Sequence, residues 1–219
     1  MTLTHLDHQL FQLINHGFHS PALDVLMALL SSWAFWQPFV FVGAALALVF
    51  GGFKERAFVC CAVLSILAAD AGVANAIKQI VNRPRPYQAM AGVRVVRLQK
   101  THPRFLGVTH PAIITLSTLP SKKRENRSFP SGHVTNNAVI ATMLVWFYRR
   151  RGWFYFIVAA LVAWSRVYVG DHYPTDVVGA MVIGIGVALI VMMCLEFLWR
   201  RASRELFPSQ ASAHPTLVS

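Results

Sequence analysis

Three short polar stretches carry side chains that together suit the chemistry of phosphate esters. They are KQIVNRPRP at 78–86, PSGH at 130–133 and SRVYVGDHYPTD at 165–176. Lys78, Arg85 and Arg166 supply three cations, and guanidinium groups match phosphate oxygens in a way that few other side chains can. The sequence therefore predicts an anion-binding site that contains these three residues.

The second stretch places Ser131 and Gly132 just before an apolar run. A helix that begins there offers unpaired backbone N–H groups and the positive end of its dipole. Glycine also lets an anion come close to the backbone. We therefore expect Ser131 and Gly132 to bind phosphate, with His133 beside them.

The third stretch contains a candidate nucleophile and an acid to orient it. His172 and Asp176 are four residues apart, and Pro174 between them suits the first position of a helix. The Asp176 carboxylate then lies in the first turn and can bond one imidazole nitrogen, which leaves the other nitrogen free to attack. Such an attack gives a phosphohistidine, and His133 is expected to protonate the leaving oxygen and later to activate water.

This chemistry requires no metal ion and no organic cofactor. The three cations and the backbone donors can meet the charge that develops on the transferring phosphoryl group. The histidines near the N-terminus, His5, His8, His16 and His19, share no consistent ligand spacing, and the three cysteines lie inside apolar runs without pairing. We predict no metal site.

The elements that position these residues are predicted to be membrane-spanning helices. Apolar residues make up 55% of the 219 residues, a high fraction for a water-soluble protein. Four apolar runs approach the length of about 20 residues that crosses a bilayer: 34–52, 57–77, 134–148 and 174–199. A fifth run, 153–168, is shorter. The sequence thus predicts an all-α, polytopic transmembrane bundle with five spans, or six if residues 20–32 join the first run.

The remaining segments fall outside these spans. Residues 1–33 mix apolar and polar side chains in a pattern typical of an amphipathic helix at the membrane interface. Residues 34–200 are predicted to form the transmembrane catalytic domain, with 82–130 as a basic loop outside the membrane, and 201–219 to be disordered. With these spans, all three polar stretches emerge on the same face of the membrane.

The net charge of +11 is concentrated in loops. Ten basic residues lie in 82–130, among them Lys122, Lys123 and Arg124, and eight lie in the loops of opposite parity, so a positive-inside count does not decide the orientation. If some of the ten bind an anionic substrate, the other clusters and the C-terminus are cytoplasmic. Nucleic-acid binding is excluded, because no basic helix with interleaved aromatic residues is present.

The three stretches resemble the signature of the type 2 phosphatidic acid phosphatase (PAP2) superfamily, Lys-x6-Arg-Pro, Pro-Ser-Gly-His and Ser-Arg-x5-His-x3-Asp. Every signature position is filled, in order: Lys78, Arg85, Pro86, Pro130, Ser131, Gly132, His133, Ser165, Arg166, His172 and Asp176. The resemblance covers about residues 57–195. By analogy it places the nucleophile at His172, the orienting acid at Asp176, the leaving-group acid at His133, and the phosphate ligands at Lys78, Arg85, Ser131, Gly132 and Arg166.

The resemblance implies a metal-independent phosphatase that acts on a lipid phosphate or lipid pyrophosphate. Bacterial members with this pattern include lipid A phosphatases, undecaprenyl pyrophosphate phosphatases and phosphatidylglycerophosphate phosphatases, usually with the site on the periplasmic or outer face of the inner membrane. The expected partners are therefore the bilayer and an anionic phospholipid, polyprenyl phosphate or lipid A phosphate substrate. The sequence does not indicate an oligomeric state.

Other functions fit the same residues less well. A lipid-to-lipid phosphotransferase can use the same histidine site and differs only in the acceptor. A non-catalytic membrane scaffold or transporter is disfavoured because both histidines and Asp176 are present. Two further residues have open roles: Arg83 is a loop charge or a substrate ligand, and Asp171 either tunes His172 or is an exposed loop charge.

Overall fold

The computed structural model describes residues 3–118 and 127–219. Part of the predicted basic loop, including Lys122, Lys123 and Arg124, lies outside the described residues. The described chain is mainly helical, as the sequence predicts. The helices are α1 (Leu3–Gly17), α2 (Pro21–Ser31), α3 (Trp33–Phe50), α4 (Phe53–Ile66), α5 (Asn75–Val81), α6 (Pro86–Ala89), α7 (Gly132–Tyr148), α8 (Phe154–Tyr168), α9 (Pro174–Leu206) and α10 (Pro208–Ala213).

Shorter elements join these helices. A π-helical stretch, Leu67–Ala74, connects α4 to α5, and 3-10 turns occupy Arg104–Thr109 and Arg149–Trp153. Strands β1 (Arg94–Arg97) and β2 (Ile113–Leu116) form an antiparallel hairpin in which Arg94 pairs with Leu116 and Arg97 with Ile113. The all-α prediction missed this hairpin, which lies within the predicted basic loop.

Three helical segments are long and apolar enough to cross a membrane: Trp33–Phe50, Phe53–Val81 and Pro174–Leu206. The first of them, α3, has no buried residue along its described length, as expected of a helix that faces lipid. Helices α7 and α8 have 17 and 15 residues, fewer than the usual span. Three of the predicted spans are thus helices of sufficient length and apolarity, and the count of five or six spans stays a prediction.

Helix α7 lies at the centre of the bundle and contacts α4, α8 and α9. Val139, Met143 and Phe147 of α7 pack with Ala188 and Met192 of α9 in one buried cluster. The two helices approach closely because α9 has a glycine at position 184, where a Cβ atom would lie 2.5 Å from the carbonyl oxygen of Thr135. This packing fixes the N-terminus of α7 relative to the N-terminus of α9.

Helix α1 packs against this bundle through a face that is partly polar. Asp7, Phe11 and Asn15, each four residues apart, are 3%, 0% and 0% exposed, whereas Leu6, Leu10 and Leu13 are exposed. The side-chain amide of Asn15 donates to the carbonyl oxygens of Arg94 (2.9 Å) and Tyr168 (2.7 Å). Helix α1 is thus tied to β1 and to the end of α8, and its placement at the membrane interface stays a prediction.

The sequence predicts disorder for residues 201–219, but the structure places them in the end of α9, in α10 and in a turn that packs back on the bundle. The indole of Trp199 donates to the His214 carbonyl (3.0 Å), and Glu196 accepts from the Leu217 amide (3.0 Å). The His214 ring stacks on Phe53, with 4.1 Å between ring centroids. These contacts hold the weakly apolar tail against α4 and α9.

A tight turn after α8 carries the third polar stretch into position. Gly170 has φ +84°, and a Cβ atom there would lie 2.6 Å from the Arg94 carbonyl oxygen. The amides of Asp171 and His172 both donate to the Arg166 carbonyl oxygen, at 3.1 and 3.3 Å. Glycine is required here because both the backbone angle and the contact with β1 exclude a side chain.

We predict that Gly170→Ala lowers the apparent unfolding temperature in detergent by about 4 °C or more, because a left-handed non-glycine residue costs about 1–2 kcal/mol before any clash. The matched control is Gly186→Ala in α9, where no described atom lies within 4 Å of the added Cβ. That variant should be neutral or slightly stabilising, since alanine favours a helix. Equal unfolding temperatures for the two variants would contradict the role given to Gly170.

Candidate active site

The predicted site residues come from four helix ends and the loops beside them. Lys78 lies in α5, Ser131 and Gly132 begin α7, Arg166 lies in the last turn of α8, and Asp176 lies in the first turn of α9. Arg85 and His172 lie in adjoining loops.

Arg85 and Arg166 converge on the carboxylate of Asp171. The Arg85 Nη1 atom lies 3.5 Å from Asp171 Oδ1, and an Nη2 atom of Arg166 bonds Oδ2. Arg97 of β1, which the sequence did not single out, bonds Oδ1 as well. Asp171 is 2% exposed, so it is not an exposed loop charge; it is the shared partner of three guanidinium groups.

Several buried polar atoms on the predicted phosphate ligands have no partner in the described part of the chain. Arg85 Nε, Arg166 Nε and Ser131 Oγ make no hydrogen bond to any described residue. Buried polar atoms without partners are uncommon and costly in folded proteins. Three such atoms lie on residues predicted to bind phosphate, and a bound anion would give them hydrogen-bond partners.

Lys78 and Gly132 lie side by side. A Cβ atom on Gly132 would be 3.5 Å from Lys78 Nζ and 3.1 Å from Asp70 Oδ1, so glycine leaves the start of α7 open towards the ammonium group. Lys78 is also 3.8 Å from Asp70 Oδ1, which holds its side chain near this helix start. Ser131 is the N-cap of α7 and His133 is its second residue.

The imidazole of His172 is oriented by a backbone group. Its Nδ1 lies 2.8 Å from the Ser128 carbonyl oxygen but 3.9 Å from Asp176 Oδ2. Since a carbonyl oxygen only accepts, Nδ1 carries the proton and Nε2 keeps its lone pair. The expected direct bond from Asp176 to the imidazole is therefore wrong, and Ser128 fixes the tautomer instead.

Asp176 is fully buried and is held by three donors. Its Oδ2 accepts from the Ser128 hydroxyl and from the Tyr173 amide (2.8 Å), and its Oδ1 accepts from Arg83 (2.8 Å). Pro174 occupies the first turn of α9 as predicted. Asp176 is thus linked to His172 through Ser128. Its carboxylate also places a negative charge 3.9 Å from Nδ1 of the imidazole.

The surroundings keep His172 neutral. Burial, together with the positive charges of Arg166 and Arg85, lowers the pKa of His172 well below its ordinary value. Burial alone would raise the pKa of Asp171, but Arg166, Arg97 and Arg85 hold it below the usual range. At neutral pH the site therefore contains an uncharged imidazole beside an ionised carboxylate and several cations.

Four residues that contact the site were not predicted in these roles: Ser128, Arg97, Arg83, and Asp7, whose carboxylate lies 2.6 Å from Arg83 Nη2. Ser128 acts partly through its backbone, which leaves no side-chain signature. Arg97 and Asp7 reach the site only because the hairpin and α1 fold against it. Arg83 lies two residues before Arg85, which marks it as a candidate, but its carboxylate partners, Asp7 and Asp176, lie far from it in the sequence.

The site lies within a region that matches known proteins. The PAP2 superfamily model matches residues 58–200. The undecaprenyl-diphosphatase BcrC of Bacillus subtilis is 27% identical over 82% of this chain and 79% of its own length. A lipid A 4'-phosphatase of Porphyromonas gingivalis is 28% identical over 97% of this chain and 81% of its own. The crystal structure of Aquifex aeolicus LpxE shares the fold, with TM-score 0.62, 24% identity, and coverage of 86% of this chain and 95% of that one.

The cluster of unpartnered donors predicts that inorganic phosphate stabilises the protein. Ligand binding to the folded state should raise the apparent unfolding temperature by about 2–4 °C for each kcal/mol of binding free energy. Arg85→Gln should abolish the rise. Arg127→Gln is the matched control, because Arg127 lies on the same loop and contacts Asn82. A phosphate response that survives Arg85→Gln would place the anion elsewhere.

Proposed function

This chain belongs to the PAP2 superfamily and is a membrane phosphatase of that family, and from this premise we propose how it acts. It hydrolyses a phosphate ester or pyrophosphate on the headgroup of a membrane lipid through a phosphohistidine at His172. The observation that carries the proposal is the neutral, buried His172 held beside a convergent set of cations with unpartnered donors.

In the first step, Nε2 of His172 attacks phosphorus while Nδ1–H stays bonded to the Ser128 carbonyl oxygen. A P–N bond forms and the P–O bond to the lipid breaks. His133 donates a proton to the leaving oxygen, and the negative charge of the bound phosphate favours the protonated form of that imidazole. The Asp176 carboxylate stabilises the positive charge that remains on His172.

In the second step, His133 removes a proton from water, and the water oxygen attacks phosphorus. The P–N bond breaks, which restores neutral His172 and releases inorganic phosphate. Lys78, Arg85 and Arg166, with the backbone donors at Ser131 and Gly132, stabilise the phosphoryl oxygens in both steps. These groups supply the charge stabilisation without a metal ion.

The names of the relatives suggest undecaprenyl diphosphate and a lipid A phosphate as the two leading candidates for the lipid. Phosphatidylglycerophosphate is a third candidate, which comes from the family resemblance alone. Arg97 adds a cation at the outer edge of the cluster, which suits a headgroup with more than one phosphate. We place the protein in the bacterial inner membrane, with the site on the periplasmic face and the C-terminus in the cytoplasm.

The proposal is tested by phosphate release from these three lipids and phosphatidic acid, in detergent with EDTA. We expect release from at least one lipid to persist in EDTA and to fall by at least about 1,000-fold in His172→Ala. His110→Ala is the control, because His110 is exposed and lies away from the signature. Full activity in His172→Ala, or loss of activity in EDTA, would contradict the mechanism. Phosphate recovered on a second lipid would identify a phosphotransferase.

The pH profile gives a second prediction. A nearby cation disfavours the imidazolium form, so removing it raises the pKa of His172, and the imidazole is then protonated at a higher pH. In Arg85→Gln the acid limb of kcat/KM should therefore move to higher pH than in the wild type on the same substrate, in addition to an overall loss of rate. An unchanged or lower midpoint of the acid limb would show that this limb does not follow the ionisation of His172.

A further inference from the structure

Helix α1 carries a buried carboxylate, Asp7, that is linked to the Asp176 carboxylate through one arginine. Asp7 is 3% exposed, and its Oδ2 lies 2.6 Å from Arg83 Nη2. The other end of the same guanidinium donates to Asp176 Oδ1 at 2.8 Å. Asp7 lies outside the region matched by the family model, which begins at residue 58.

Asp7 also holds the first turn of α9 directly. Its Oδ1 accepts from the Thr175 amide (2.9 Å), and its Oδ2 accepts from the Thr175 hydroxyl (2.7 Å). The amide of Thr175 is one of the N–H groups that a helix start leaves without an internal partner. Asp7 therefore caps the helix that carries Asp176, from a different part of the chain.

Arg83 is shared between two carboxylates. Its guanidinium stacks over the Tyr173 ring at 3.9 Å and donates to Thr175 Oγ1 as well as to Asp7 and Asp176. Two carboxylates around one cation leave a net negative charge on the group. Without the charge of Asp7, Arg83 would neutralise Asp176 more completely, and the charge that faces His172 would be weaker.

We propose that Asp7 is a positioning residue for the reaction: it acts through Arg83 and Thr175 to fix the orientation and effective charge of Asp176. The N-terminal helix is then a working part of the active site rather than a separate interfacial segment. This inference rests on the proposed function, because its consequence is a change in turnover. Asp7 touches none of the predicted phosphate ligands, so the effect should fall on kcat and not on KM.

A purely structural role for Asp7 predicts a loss of stability without a specific loss of kcat. If the carboxylate only anchors α1, its loss lowers stability and affects kcat no more than the loss of another buried ion pair. Asp24 offers that comparison: it is 4% exposed, lies in α2, and bonds Arg94 at 3.0 and 3.1 Å. Asp24 also accepts from the Tyr168 hydroxyl. Neither Arg94 nor Tyr168 belongs to the predicted site.

The experiment measures kcat, KM and unfolding temperature for Asp7→Asn and Asp24→Asn on the lipid that the wild type hydrolyses. We expect Asp7→Asn to lower kcat by about 10-fold, since small errors in the placement of catalytic groups have effects of this size or larger, with KM changed by less than about 2-fold. Asp24→Asn should lower the unfolding temperature while kcat stays near the wild-type value. Wild-type kcat in Asp7→Asn, or an equal loss in Asp24→Asn, would overturn the proposal.

The double variant tests the route through Arg83. If Asp7 acts through Arg83, Asp7→Asn should add little to the loss caused by Arg83→Gln. Fully multiplicative losses would overturn that route. If Asp7→Asn does not fold, Thr175→Val removes the hydroxyl between Asp7 and Arg83 and should lower kcat with KM unchanged; an unchanged kcat there would also overturn the proposal.

Failure of this inference is distinguishable from failure of the proposed function. If the wild type is active, His172→Ala is inactive and Asp7→Asn is fully active, only the inference is wrong. If His172→Ala keeps its activity, the histidine mechanism is wrong, and so is the proposed role of Asp7 in positioning Asp176.

Discussion

The pairing of Asp171 with three guanidinium groups is the interaction on which the site depends. Arg85, Arg97 and Arg166 come from a loop, a strand and a helix, and their positive charges repel one another at close range. A buried carboxylate between them offsets that repulsion and keeps all three aimed at one place. Because Asp171 directly precedes His172, the same residue that gathers the cations also sets the loop that presents the nucleophile.

Backbone groups and the N-terminal helices hold the loop that carries His172 in place. The Arg166 carbonyl oxygen accepts the amides of Asp171 and His172, and Ser31 of α2 accepts from the Arg166 guanidinium. Together with the contacts of Asp7, these bonds make the N-terminal helices a support for the loop and for α9. The boundary drawn at residue 33 from composition stays a prediction, but the hydrogen bonds cross it repeatedly.

The sequence was sufficient for the parts of the site that a local pattern specifies. Pro174 marks the start of α9, the PSGH stretch marks the start of α7, and Arg85 and Arg166 do meet. It was insufficient where partners come from distant segments. Asp7 and Arg83 are 76 residues apart, the His172 tautomer depends on a backbone carbonyl, and the order of the tail depends on Trp199 and Glu196. Such pairings arise from tertiary packing, and residue type alone does not reveal them.

The length of α9 relates the site to the opposite side of the membrane. Its 33 residues, at about 1.5 Å each, extend about 50 Å, whereas the hydrocarbon layer is about 30 Å thick. Asp176 lies in the first turn of this helix, so a helix that crosses the bilayer from that end projects about 20 Å beyond the hydrocarbon layer. Arg200, Arg201 and Arg204 lie near the end of the helix, where headgroups or water would solvate their charges. One continuous helix thus joins the turn that holds Asp176 to the C-terminal segment that packs beside Trp199 and Glu196.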